Sequence, residues 1–405
     1  MRKKQGFVSQ LFLYYTSKRM FAKRIKSLSP SATMAIDAKA KELKSAGVQV
    51  INLSVGEPDF QTPDNIKKAA IQAIKKGFTF YTAPNGILPL REAVAKKFAQ
   101  DNGLHYTPSQ ILIGSGSKQL LYSALQVLCN PGDEVLIATP TWTTFVEQIK
   151  LAGAKPILVP LQPPFKLTAK DLEKYVTAKT KVLLLNSPSN PTGEMIDPEE
   201  MKKIGAFVLK HNLFVIADEI YEKLVYTTKH VSIAALSKEL FEKTITMNGV
   251  SKSYAMTGWR IGYAGGPQEI ITAMNALQSQ MIGSNSSISQ MAALEALTGE
   301  QSSLTAMKQA FVRRRKLCLN LLSQIPQLSV VEPEGAFYLF ISLRKVLNKT
   351  YPTATVWAEK LLEKEHVAII PGEAFLCPGY IRICYAASDN DLKEALQRIK
   401  RFLNR

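Results

Sequence analysis

Six short apolar runs, each followed at once by a polar or glycine-rich turn, constrain the fold of this chain more than any other feature. They are QILIG at 110–114, EVLIATP at 134–140, KVLLLNSP at 181–188, LFVIADE at 213–219, TITMNG at 244–249 and RIGYAGG at 260–266. Their apolarity is continuous rather than alternating, the pattern of strands covered on both faces. Helical stretches lie between them, such as SGSKQLLYSALQVL after the first. The pattern predicts an α/β chain built on a mostly parallel central sheet. At 405 residues it has length for a large domain and a smaller companion.

In open α/β sheets ligands lie beyond the carboxyl ends of the strands. Here those ends carry Gly114-Ser115-Gly116-Ser117-Lys118, then Trp142, then Asn186 and Asn190, then Asp218 and Tyr221, then Ser251 and Lys252. One lysine, one carboxylate, one phenol, amides and an indole at a single sheet edge form a set suited to a charged aromatic ring. GSGSK opens a helix, where backbone N–H groups favour an anion, and Arg260 adds a guanidinium. Gly/Ser turns before helices are common, and the spacing is not that of a Walker A loop. Lys252 sits among Gly, Ser and Ala, eight residues before Arg260. A lysine that must lose its proton and attack a carbonyl needs a confined site of this kind.

The net charge of +18 is unevenly placed. Residues 1–26 hold eight Lys and Arg and no acid. Elsewhere both signs alternate along helical stretches, the pattern of solvated faces. No nucleic-acid recognition motif accompanies the charge, so no nucleic-acid partner is expected. Ser9 and Gln10 interrupt the N-terminal apolar stretch and no small-residue cleavage site follows, which argues against a secretory signal. Residues 1–26 read as a basic extension, with an organelle transit peptide and a true start at Met20 as the two explanations. No apolar run approaches the ~20 residues of a membrane span. Cys129, Cys318, Cys377 and Cys384 lack CxxC spacing and read as reduced thiols of a cytoplasmic protein. His105, His211, His230 and His366 are scattered, and no metal site is expected.

The motifs SPSNPTG, ADEIY and GVSKSYAMTGWRIG resemble those of class I aminotransferases, fold type I enzymes dependent on pyridoxal 5'-phosphate. The family's lysine motif, [GS]-x-[GSTA]-K with a small residue three later and an arginine eight later, is met by Gly249, Ser251, Lys252, Ala255 and Arg260. The likeness runs from SPSATMAIDAKAKEL through INLSVGEPDF, FYTAPNGILPLREA, NPGDEV and PEGAFY to YIRICYAAS. It is closest to the bacterial aspartate aminotransferase subgroup. The resemblance implies a large cofactor-binding domain over 61–302, with a small α+β domain formed by 27–60 and 303–405.

It also implies roles. Lys252 resembles the lysine that carries the cofactor and moves the substrate proton. Asp218 resembles the partner of the pyridine nitrogen. Tyr221 and Asn190 would bind the ring hydroxyl, and Trp142 would stack on the ring. Gly116, Ser117, Lys118, Ser251 and Arg260 would surround the phosphate, joined by Tyr81 from the partner subunit of a homodimer. Arg382 resembles the clamp on the substrate α-carboxylate, with Gly56, Asn186, Asn190 and Trp142 beside it. Lys118 and Thr33 would meet a second carboxylate. Gly249 departs from relatives with a serine there, and Thr141 stands where an aromatic is common.

The implied activity is ping-pong transfer of an amino group from an L-amino acid, aspartate first, to a 2-oxo acid such as 2-oxoglutarate. A broad, aromatic or prephenate aminotransferase is the alternative, and a lyase on the same cofactor a weaker one. A regulator would need a DNA-binding domain, and an inactive scaffold would not be expected to keep both Lys252 and Arg382.

Overall fold

In the computed structural model, residues 22–26, 28–29 and 32–404 are described. The extension up to residue 20, including Met20, lies outside the described residues. A short strand β1 (Ile51–Asn52) precedes a seven-stranded sheet of β2 (Ile111–Gly114), β3 (Glu134–Thr139), β4 (Lys155–Pro160), β5 (Thr180–Asn186), β6 (Phe214–Asp218), β7 (Thr244–Gly249) and β8 (Gly262–Gly265). Their spatial order is β2-β8-β7-β6-β5-β3-β4. From β4 to β7 every pairing is parallel.

The six apolar runs all become strands, and each is covered on both faces. Val182, Leu184, Ile216 and Ile245 pack under one helical layer, Leu183, Leu185 and Val215 under the other. Each such side chain contributes ~1.5–3 kcal/mol of burial free energy. Helix Ser117–Leu128 shows how its sequence fits this role: Leu120, Leu121, Ala124, Leu125 and Leu128 recur at helical spacing and are buried.

Two features differ from the sequence pattern. KPILVP forms the edge strand β4, which is largely exposed and has proline at its second and last positions. Its apolar stretch Ile157-Leu158-Val159 is short and has proline on both sides, which demotes such a run to an edge strand, where proline is tolerated. The last run, β8, is antiparallel to both β7 and β2. It therefore begins where the parallel strands end, with Gly262 opposite Gly114 and Gly249. Arg260 reaches the chemical edge of the sheet because it precedes β8.

A second sheet has the order β12 (Ile370–Pro371), β13 (Tyr380–Cys384), β10 (Tyr338–Ser342), β9 (Ser329–Val330), all antiparallel. Its core includes Phe311, Phe337, Trp357 and Leu396, drawn from helices Ser302–Leu322, Ala354–Glu365 and Asp389–Leu403 and the loop before β10. The N-terminal chain joins it: β1 pairs in parallel with β11 (Val367–Ala368), and Leu53 N donates to Ala368 O at 2.8 Å.

Candidate active site

β4 and β5 lie on opposite sides of β3, which makes a switch point where a crevice opens at the strand ends. A cavity of about 360 Å³ lies at this sheet edge, within the size range of small-molecule pockets. Fourteen residues singled out in the sequence line it: Thr33, Gly56, Gly116, Ser117, Lys118, Trp142, Asn186, Asn190, Asp218, Tyr221, Ser251, Lys252, Arg260 and Arg382. Tyr81 does not; its side chain is 96% exposed, beside Phe80.

Lys252 follows β7 and donates from Nζ to Gly56 O at 2.6 Å. Burial is the main force lowering its pKa to about 8, with Arg382 and Arg260 adding repulsion against the attraction of Cys384 and Glu57. Asp218 ends β6. Its Oδ1 accepts from Ile220 N at 3.2 Å, but burial pushes its pKa up to about 7 despite that bond and the nearby Lys252. Among the described residues no cation forms an ion pair with this carboxylate, which lines the cavity.

At the anion-binding end, Gly116 precedes helix Ser117–Leu128 with φ +78°. A Cβ here would lie 2.5 Å from Arg260 Nη2, so only glycine permits both the left-handed turn and the approach of the guanidinium. Arg260 is itself left-handed, at φ 55°, and its Nη1 donates to Thr257 O at 2.8 Å. The Lys118 ammonium lies 4.7 Å from the centroid of the Trp142 ring. Burial, then repulsion from Arg260, lowers its pKa.

A hydrogen-bonded chain crosses to the second sheet. Asn186 Nδ2 donates to Asp218 O at 3.1 Å, and Asn190 N donates to Asn186 Oδ1 at 2.9 Å. Arg382 Nη1 then donates to Asn190 Oδ1 at 2.9 Å, and its Nη2 to Ser54 O at 2.5 Å. Arg382 is 2% exposed, and among the described residues its Nε has no partner. A buried guanidinium that, among the described residues, has donors to spare and no carboxylate paired with it is suited to bind an anion.

The sequence reading missed Tyr338 and Phe375, whose ring centroids lie 4.5 and 4.9 Å from the Arg382 guanidinium carbon. The PEGAFY motif contains Tyr338 without indicating this contact. Thr141, which stands where the resemblance leads one to expect an aromatic, donates its backbone N–H to Phe375 O at 3.1 Å. His230 is not solitary either. It joins Glu219 and Glu222 with ligating atoms within 4.8 Å of one another, yet Lys97 and Asn102 already bind the carboxylates.

A family model, aminotransferase class I and II, matches residues 48–399. An aspartate aminotransferase of Geobacillus stearothermophilus is 47% identical over 94% of this chain and 98% of its own length. A probable aspartate/prephenate aminotransferase of Rhizobium leguminosarum bv. phaseoli is 45% identical over 94% and 98%. Among solved structures, the aspartate aminotransferase from Thermus thermophilus with maleate superposes with a TM-score of 0.91 at 39% identity, covering 95% of this chain and 100% of that one.

Proposed function

Because the chain belongs to the class I and II aminotransferases, enzymes that use pyridoxal 5'-phosphate, we propose that it transfers the amino group of aspartate to 2-oxoglutarate from the cavity around Lys252. The observation that carries this reading is a half-buried lysine of lowered pKa sharing one cavity with a buried carboxylate, an anion cradle and a second anion-binding arginine.

The residues fit the cofactor's chemistry. Gly116, Ser117, Ser251 and Arg260 would hold the phosphate, Trp142 would cover the ring, and Tyr221 and Asn190 would bind its hydroxyl. Asp218, raised to about 7 by burial, would become fully charged beside a protonated ring nitrogen. When bound, the cofactor supplies an electron-withdrawing ring that draws off the charge left by the departing substrate proton. Lys252, with a pKa near the working pH, can take that proton and return it, which is the condition for efficient general acid–base work. Arg382 would orient the substrate by its α-carboxylate, with Gly56 and Asn186 alongside, excluding water from the reacting bond.

Lys118 and Thr33 support an acidic substrate. Lys118 is poised over Trp142, where its ammonium can meet the side-chain carboxylate. A charge-assisted bond is worth ~1.5–3 kcal/mol, about 10–150-fold in selectivity. Following the absorbance of the bound cofactor against twenty amino acids tests the donor range. Lys118→Ala should lower kcat/KM for aspartate by that factor and for alanine or an aromatic amino acid much less. Equal loss on all substrates, with weakened cofactor binding, would favour a broader enzyme, including one acting on prephenate.

Tyr81 and Phe80, 96% and 83% exposed, support a homodimer in which Tyr81 reaches the partner's phosphate cradle. Mixing Tyr81→Phe and Lys252→Ala subunits should restore part of the activity only if sites are shared. The four cysteines are free, which supports a reducing, cytoplasmic setting.

A further inference from the structure

The hydroxyl of Tyr338 lies 2.6 Å from that of Tyr221. Both side chains are buried and both line the cavity. Tyr221 follows β6 of the large sheet, whereas Tyr338 opens β10 of the small one, opposite Cys384 and two positions along the ladder from Arg382. This bond therefore joins the two sheets at the site. The Tyr338 ring also carries the Arg382 guanidinium at 4.5 Å. Space for the hydroxyl is kept open by Gly56, where a Cβ would lie 2.3 Å from Tyr338 Oη. Among the described residues, the Tyr338 hydroxyl has no other hydrogen-bond partner.

A phenol has one proton to give and lone pairs to receive. If Tyr221 directs its proton into the cavity, the short contact requires Tyr338 to be the donor. A hydroxyl that accepts a hydrogen bond is polarised and donates more strongly in turn. We propose that Tyr338 is a positioning residue with two separable parts: its hydroxyl donates to Tyr221 and strengthens the bond Tyr221 gives the cofactor, while its ring holds Arg382 for the substrate carboxylate. The inference rests on the reading above in which Tyr221 binds the cofactor's ring hydroxyl.

The test uses the holoenzyme and the pH midpoint of the bound cofactor's visible absorbance, a quantity that a merely structural tyrosine would leave in place. Donation by Tyr221 lowers that midpoint by favouring the ionised ring oxygen, so losing it raises the midpoint. Tyr221→Phe should raise it by about one pH unit, and Tyr338→Phe by roughly a tenth to a third of that. The double variant should match Tyr221→Phe alone, because Tyr338 acts through Tyr221. Tyr338→Phe keeps the ring and should change KM for aspartate less than about threefold. Tyr338→Leu removes the ring and should raise KM by about tenfold, the scale of a desolvated cation–π contact.

A Tyr338→Phe midpoint equal to wild type, with Tyr221→Phe shifted, would overturn the relay and leave the Tyr221 reading standing. So would shifts that add in the double variant. An unshifted Tyr221→Phe would remove the reading of Tyr221 and the relay with it. The Phe variant alone decides the relay, whether or not the Leu variant folds.

Discussion

Asp218 and Glu219 are consecutive carboxylates at the end of β6, both buried, and their surroundings are opposite. Asp218 lines the cavity with one backbone donor and, among the described residues, no ion-pair partner, and burial raises its pKa to about 7. Glu219 faces away, into a charge-balanced cluster. Its Oε2 lies 3.0 Å from both Asn102 Nδ2 and His230 Nε2, and the neighbouring Glu222 pairs with Lys97. There, burial alone would raise the pKa of Glu222, yet Lys97 and His230 bring it below the ordinary carboxylate range. Burial likewise opposes the charged His230, but Glu219 and Glu222 hold its pKa above the usual value. The same desolvation is compensated on one side of the strand and left uncompensated on the other. Uncompensated groups have pKa values available for chemistry; compensated ones fix the backbone that presents them.

The sharpest break between the two regions exchanges their lysines for neutral residues. Lys252→Ala should cost about four orders of magnitude or more in turnover, since nucleophile and proton carrier are one group. Its unfolding midpoint without cofactor should not fall, because the lysine lost is one that folding disfavours in its charged form. Borohydride reduction and peptide mapping of the wild type should place the pyridoxyl group on Lys252. Recovery of the label on another lysine would end the assignment. Lys97→Met should do the reverse, costing ~3–5 kcal/mol of stability by leaving Glu222 buried without its partner. Denaturant unfolding would register that loss, whereas the folded fraction should keep its turnover within about tenfold.

Two pH experiments sharpen the contrast. In cofactor-free protein the folded chain holds the Asp218 proton up to about pH 7, and the unfolded chain releases it near 3.8. Charging the buried group therefore costs nothing below pH 3.8, progressively more up to about pH 7, and its full amount above. Asp218→Asn should remove a cost of up to about 4 kcal/mol at pH 7.5 and nothing at the acid limit. A gain independent of pH would contradict this. His230 is the smaller case. Its raised pKa makes its stabilisation complete below the unfolded value of 6.5 and lost as pH rises through the higher folded value. His230→Gln should lose stability below pH 6.5 and progressively less as the pH rises above it, seen as a flatter dependence of melting temperature on pH.

The sequence by itself determined much of this enzyme. Continuous apolar runs specified strands covered on both faces, because only burial on both sides selects against alternation. The polar residues just beyond those runs were legible as a site because parallel strands with helical crossovers bring their carboxyl ends to one edge. Three things were decided by tertiary structure. The edge strand β4 was hidden because prolines flank Ile157-Leu158-Val159 and break the strand signal, and only its edge position lets a strand carry them. The direction of β8 depends on which neighbours pair with it, and that pairing places Arg260 beside Gly116 across more than a hundred residues of sequence. Finally, no local pattern separates Asp218 from Glu219, or Tyr338 from an ordinary core tyrosine. What each side chain does depends on whether a partner from a distant segment meets it, and pairing of buried charges and hydroxyls is a property of the packed chain.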